Sequence, residues 1–485
     1  MSDSSPLAFC DATEIARRIR DGELSALECL EYFLGRVQRF ESLNAVVVLD
    51  AERARRQARE ADALRARGQS LGPLHGVPMT IKESFDVAGL ATTWGDPNCK
   101  DNVAQTDAIA TARLKAAGAV IFGKTNVPLQ LSDFQSYNAI YGTTNNPWDL
   151  ERSPGGSSGG ESAALAAGLS SLGLGSDIGG SIRNPSHYSG VFGHKASYGI
   201  IAHNGHSTAP TAAASDLGAF GPLARSARDL RLALKLVAGP GPLQQPGWQL
   251  TLPEADRTFS QLRVAVWADD PQAPVSAEVA ARCRQLGEVL EKAGARVSLE
   301  ARPAFDAVEA YSCYRKLLAS ALSARQSDEV SRTQRRAATA FSADDDGPAA
   351  RAAWNAVMPH RLWLQLHEQR SKLRGTWQAF FEDWDLLICP VAPTPAFAHD
   401  HRPFHERAMM VDGETRAYFE QLFWAGLATL SYLPSTVIPT GPGRAGLPIG
   451  VQLVGPQFHD LRTIDVAEKL AALGFGFQPP PGYAD

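Results

Sequence analysis

The sequence predicts an α/β protein, a β-sheet covered by helices, and three observations predict it. Short apolar runs alternate with helix-forming stretches along most of the chain. Apolar residues make up 44% and charged residues 20% of 485, the balance of a globular chain with a large core. There is no internal repeat or low-complexity tract that would point to a solenoid or a linker.

The elements follow in chain order. Asp11-Ala-Thr-Glu14 and Ser25-Ala-Leu-Glu28 both have the form of capping boxes, so a helix is predicted from each. After the second, Leu30, Phe33, Leu34 and Val37 recur at helical spacing. Residues 43–49 read as a strand, and a charged, Ala/Arg-rich helix runs from about Ala51 to Gly68. Val77–Ile81 is a short apolar run ending at Lys82. Asp107 is predicted to start a helix that Gly118 closes, with a strand at Ala119–Phe122. Gly159–Gly168 reads as a helix and Leu172-Gly-Leu-Gly175 as a buried run. Further on come a strand at Val264–Trp267, a helix capped by Ser276 and ending near Gly294, and strands at Leu386–Cys389 and Pro448–Val454. Gly239-Pro-Gly-Pro242 with Pro246 is a loop. Residues 325–351, rich in Arg, Ser and Asp, read as a solvated helix and loop, with a lid over a pocket as the alternative.

Composition excludes some functions. The net charge is −5 with no concentrated basic block, which argues against a nucleic-acid partner. The longest apolar-looking run, Trp424–Pro439, is broken by Gly426, Ser431, Pro434 and Ser435, so no membrane span is predicted. The N-terminus lacks a positive stretch followed by an apolar one, so no signal peptide is expected. Six scattered cysteines without a C-x-x-C pair read as reduced, mostly buried thiols of a cytoplasmic protein.

The densest chemical signal lies in two clusters, Ser153-Pro-Gly-Gly156-Ser157-Ser158-Gly-Gly-Glu161 and Gly175-Ser-Asp177-Ile178-Gly179-Gly180-Ser181-Ile-Arg183-Asn-Pro185. Glycine is costly inside regular elements, so its concentration beside serines implies either turns or a backbone whose N–H groups approach a ligand closely. These clusters resemble the amidase signature. Upstream, Gly72-Pro-Leu-His-Gly-Val-Pro-Met-Thr-Ile-Lys82-Glu resembles that family's lysine segment, and Gly446–Gly455 resembles its C-terminal strand. The resemblance spans about residues 8–470. It implies one large mixed sheet flanked by helices on both faces, in a single domain. That domain would have a helical N-terminal part (about 8–70), a signature core (about 72–230) and a C-terminal part (about 255–475).

The resemblance also implies roles. Ser181 would be the nucleophile, Ser157 a bridging serine after a cis bond at Gly156, and Lys82 the base. The N–H groups of Ile178, Gly179, Gly180 and Ser181 would form the oxyanion hole, with Gly156, Ser158, Asp177 and Arg183 in support. Asp177 and Arg183 read as partners that fix the loop. The chemistry is coherent on its own terms: a serine hydroxyl needs a base within hydrogen-bond reach, and a lysine serves if burial keeps it neutral. No cofactor and no metal is required.

Other motifs are set aside. Gly118-Ala-Val-Ile-Phe-Gly123-Lys124-Thr125 matches a P-loop literally, but the intervening residues belong in a strand, which leaves Lys124 structural. Gly155-Gly-Ser157-Ser-Gly159 matches a nucleophile elbow, yet the polar, proline-containing stretch before it is wrong for a Ser-His-Asp α/β-hydrolase. His399, Asp400, His401 and His405 read as a surface cluster without metal spacing, and His203 and His206 as rim or loop residues.

The expected function is hydrolysis of an amide, anilide or carbamate in a small molecule by a stand-alone enzyme, with a homodimer as the expected assembly. The competing function is glutamine hydrolysis within a tRNA-dependent amidotransferase. Members of that class commonly carry Ser-Leu-Asp-Gln-Ile-Gly-Pro where this chain has Ser215-Asp-Leu-Gly-Ala-Phe-Gly-Pro222. Pocket walls are expected from residues near 133–142 and within 300–370, with Phe134, Tyr137, Tyr141, Tyr311 and Trp354 as candidates, or alternatively as packing residues.

Overall fold

The computed structural model describes residues 7–209, 211–324, 326–342 and 347–484. Eleven strands form its two main sheets: β1 (Val46–Leu49), β2 (Pro78–Lys82), β3 (Val120–Thr125), β4 (Gly173–Asp177), β5 (Phe192–Lys195), β6 (Ala219–Ala224), β7 (Arg263–Val266), β8 (Arg296–Ser298), β9 (Leu386–Pro390), β10 (Ser435–Pro442) and β11 (Pro448–Val454). The large sheet has eight strands in the order β8-β7-β9-β11-β10-β5-β6-β4. It is mixed: β8, β7 and β9 run parallel, and every other pairing is antiparallel. A three-stranded sheet, β1-β3-β2, stands beside it.

Helices cover both faces of the large sheet, which is why central strands such as β9 read as apolar runs. All of β9 and β11 is buried. The helix Ala277–Lys292 packs on β7, β8, β9 and β11, while Asp460–Ala472 packs on the helix Ala227–Val237 and on β10. No helix among the described residues is long and apolar enough to cross a membrane. All six cysteines are free, and only Cys99 is not buried.

Several local expectations meet their physical test here. The Ser25/Glu28 capping box forms, with both reciprocal bonds. The one at Asp11 does not: Asp11 makes no cap bond. The carboxylate of Asp229, distant in sequence, instead accepts from Ala12 N at 2.6 Å and Thr13 N at 3.0 Å. A second anion at one helix N-terminus is redundant once these N–H groups are satisfied. Asp107 lies just outside its helix, Ile109–Ala116, because its carboxylate is taken by Ala88 N and Lys115 Nζ. Ser276 occupies the N-cap position without a side-chain cap bond.

Two strands converge on the glycine-serine clusters. β2 is buried along its whole length and ends in Lys82. β4 ends in Ser176 and Asp177, from which the chain passes over Ile178–Ile182 into the helix Arg183–Ser189. The first cluster leads into the helix Gly159–Ala166. Glu161 on that helix accepts from Thr80 Oγ1 at 2.6 Å and Thr125 Oγ1 at 2.8 Å, tying it to β2 and β3. Burial pushes this carboxyl up to about 7.

Candidate active site

Lys82 is fully buried, and its Nζ lies 2.7 Å from Ser157 Oγ and 2.9 Å from Ser176 Oγ. Burial lowers its pKa to about 7, although Asp177, Glu161 and Glu83 oppose the shift. Near neutral pH the amine is therefore partly uncharged, and its lone pair can accept a proton from a hydroxyl. Ser176 does not stand out in the sequence. Its place between Gly175 and Asp177 is the only signal available.

Ser157 follows a cis bond at Gly156–Ser157, as the resemblance implied. Gly156 has no room for a side chain: a Cβ there would run into the backbone of Asp133 and Gln135. Ser158 N donates to Ser181 O at 3.0 Å, joining the two clusters through the backbone. Ser181 itself is 8% exposed and, with Ser157 and Ser176, borders a cavity of about 580 Å³.

Asp177 and Arg183 form a buried, two-pronged ion pair, Nη2–Oδ1 at 2.9 Å and Nε–Oδ2 at 3.0 Å. Burial raises the Asp177 carboxyl, but Arg183 beside it and the surrounding N–H groups outweigh that and hold it at about 2. Arg183 also donates to Ala425 O, Gln452 Oε1 and Thr429 Oγ1. This pair is what fixes the turn between β4 and the following helix. Asp177→Ala leaves an unpaired buried guanidinium, so the expected loss is about 3–5 kcal/mol of unfolding free energy. Urea titration checks it; a loss below about 1 kcal/mol, the range of exposed pairs, would show the pair is not structural.

One expected oxyanion donor is corrected. Gly180 N donates to Asp177 Oδ1 at 2.9 Å, so its N–H is already engaged within the protein. The carboxylate at the end of β4 outcompetes a transient ligand for that donor. Ile178, Gly179 and Ser181 keep the three N–H groups that Asp177 does not take.

The cavity walls also differ from expectation. None of Phe134, Tyr137, Tyr141, Tyr311 and Trp354 borders it. Tyr137 stacks on His401, and Tyr311 donates to Phe419 O, which makes them packing residues. The aromatic wall comes instead from Trp94, Phe220, His203 and His206, with ring centroids 5.0 Å (His206–Trp94), 4.7 Å (His206–Phe220) and 4.5 Å (His203–Phe220) apart. Of the expected segments, the one near 133–142 contributes only through the adjoining Gln130–Ser132, while the one within 300–370 does border the cavity, through Ala321 and Leu322 as well as the residues that follow. Of residues 325–351, Gln326, Ser327 and Val330 border the cavity, and helices run over Asp328–Thr339 and Pro348–Ala356. Residues 325 and 343–346 of that segment lie outside the described residues.

The remaining motifs resolve as structure. Gly123 and Lys124 lie inside β3, so there is no loop to cradle a phosphate, and Lys124 donates to Ala91 O and Thr92 Oγ1. A buried His194–Asp460 contact of 3.1 Å exists, but the nearby Ser197 Oγ donates to Asp460, so no Ser-His-Asp relay is formed there. His399 contacts Asn145, and no cluster of metal-ligating side chains occurs among the described residues.

The same arrangement of segments is found in known proteins. The family model named Amidase matches residues 28–464. An indoleacetamide hydrolase of Bradyrhizobium diazoefficiens is 34% identical over 96% of this chain and 86% of its own length. A glutamyl-tRNA(Gln) amidotransferase chain of Roseiflexus castenholzii is also 34% identical, over 96% of both chains. The solved structure of a 6-aminohexanoate cyclic dimer hydrolase superposes with a TM-score of 0.78 at 28% identity, covering 99% of this chain and all of that one (100%).

Proposed function

The chain belongs to the amidase signature family, and on that premise we propose that it hydrolyses the C–N bond of a small, uncharged amide-type substrate bearing a flat aromatic group. The observation that carries this reading is the 2.7 Å contact between a buried, near-neutral Lys82 and Ser157, at the edge of a cavity that Ser181 shares.

In this mechanism Ser181 Oγ attacks the carbonyl carbon as its proton passes through Ser157 Oγ to Lys82 Nζ. The N–H groups of Ile178, Gly179 and Ser181 stabilise the negative oxygen of the tetrahedral intermediate. The proton returns by the same hydroxyl to the leaving nitrogen, the C–N bond breaks, and the acyl-Ser181 ester remains. Water, deprotonated along the same route, attacks the ester and releases the acid. Ser176 holds the amine of Lys82 in line with Ser157.

Two features support an aromatic, uncharged substrate. The wall of Trp94, Phe220, His203 and His206 suits stacking against a planar ring. Among the described residues bordering the cavity there is no Lys or Arg. That same absence weighs against the second reading, the glutamine-hydrolysing component of an amidotransferase, which has the Roseiflexus relative in its favour. Glutamine carries a carboxylate that would be left without a cationic partner here.

The testing experiment is amine release by the purified chain alone, on p-nitroanilides, aryl carbamates, arylacetamides, short primary amides and glutamine. Turnover of the aromatic substrates and not of glutamine is the expected result; ammonia release from glutamine alone would favour the second reading. A pH profile adds a prediction. Because the reactive form of Lys82 is the neutral amine, kcat/KM is expected to rise with pH through about 7 and then level off. A rate that falls over that interval would exclude a neutral lysine base.

A further inference from the structure

Tyr314 lies on the helix Ala307–Ser323, outside both glycine-serine clusters, and is fully buried. Its hydroxyl donates to Ile178 O at 2.8 Å. That carbonyl belongs to the same peptide unit as the Gly179 N–H, and among the described residues only Gly156–Ser157 is cis, so this unit is trans. In a trans peptide the C=O and N–H point in opposite directions. Tyr314 does not border the cavity, whereas Ile178 does. With the Ile178 carbonyl held toward the buried tyrosine, the Gly179 N–H points the opposite way, away from Tyr314.

We propose that Tyr314 is a positioning residue for the oxyanion site, holding the Ile178–Gly179 peptide so that the Gly179 N–H faces the reacting carbonyl. The proposal rests on the acyl-enzyme reading above. It has two physical parts. The hydrogen bond fixes the orientation of a peptide that, next to glycine, has few side-chain contacts of its own. Accepting a hydrogen bond at the carbonyl also polarises the amide and strengthens the N–H as a donor. Gly180 makes the role consequential: its N–H is committed to Asp177, so one fewer donor is left to share the charge.

The tyrosine is itself placed by a second glycine. Gly426, on the helix Leu422–Leu430, lies against the ring, and a Cβ there would sit 2.6 Å from Tyr314 Cδ1. The phenol remains protonated, since burial pushes its pKa well above the ordinary value, and so it stays a donor at any working pH.

The test uses the full chain, with Tyr314→Phe compared with Tyr311→Phe. Tyr311 is on the same helix and also donates to a backbone carbonyl, Phe419 O at 3.0 Å, but does not contact the glycine loop. Active sites are counted by fluorophosphonate labelling. Tyr314→Phe is expected to lower kcat about tenfold with KM unchanged, short of the 10²–10³ cost of losing a donor outright. Its affinity for an aryl boronic acid, which adds Ser181 Oγ to boron as a tetrahedral anion, should fall in parallel. The pH at which kcat/KM rises should stay put, and Tyr311→Phe should match the parent. If Tyr314→Phe does not fold, Gly426→Ala, which displaces the ring, is read for the same signature. Parent-like kcat per active site and parent-like boronate affinity would overturn the proposal. With Ser181→Ala inactive, that result removes this role alone; an active Ser181→Ala would remove the acyl-enzyme reading beneath it.

Discussion

Ser181→Ala is expected to abolish turnover while leaving the fold intact. Ser181 borders the cavity, and its removal takes away the hydroxyl proposed to form the acyl-enzyme. In serine hydrolases, removal of the nucleophile costs on the order of 10⁶ in kcat. The fold should not follow, because the structural links of this loop run through other atoms: Ser181 O accepts from Ser158 N, and Asp177 binds the N–H groups of Gly180, Ile182 and Arg183. Steady-state rates and thermal unfolding on one preparation separate the two effects. Retained activity would move the nucleophile to another hydroxyl, and Ser157 would be the first to examine.

Lys82→Ala carries the second largest expected effect, a loss of about 10²–10⁴ in kcat, the usual worth of a general base. The rise of kcat/KM near pH 7 should disappear with it, since the proposed base is the Lys82 amine, which burial lowers to about 7. Some stability will also be lost. The hydroxyls of Ser157 and Ser176 lose a buried partner, at about 1–3 kcal/mol for each group left unsatisfied. Lys82→Met fills the space better and is the cleaner probe of the base alone. A loss of only a few-fold, with the pH rise preserved, would shift the base to His203 or His206, which border the cavity.

Much of the site was legible in the sequence because it is local. A turn that brings backbone N–H groups to a ligand needs glycine at fixed offsets from the serine it serves, so Gly155–Gly160 and Gly175–Ser181 mark themselves. A buried strand that ends in lysine, such as Pro78–Lys82, marks itself likewise. The amidase signature and the alternation of strands and helices follow from that same short-range order. The strand Pro448–Val454 could be read to its ends, because it is buried throughout and so reads as one apolar run.

Tertiary structure decided whatever depends on which distant groups meet. Asp11 has the form of a cap, yet Asp229 takes the N–H groups. Gly180 has the form of an oxyanion donor, yet its N–H donates to Asp177. His203 and His206, read as rim or loop residues, share one loop at the cavity, but Trp94 and Phe220 come from a distant loop and a strand, and nothing in their spacing brings them to that wall. Tyr314 reaches Ile178 across 136 residues. The sequence by itself determined the fold class and the reactive loops, because glycine placement and apolar periodicity act within a few residues. The competition for each donor and the shape of the pocket were left to packing, because a hydrogen bond goes to the partner that is nearest in space.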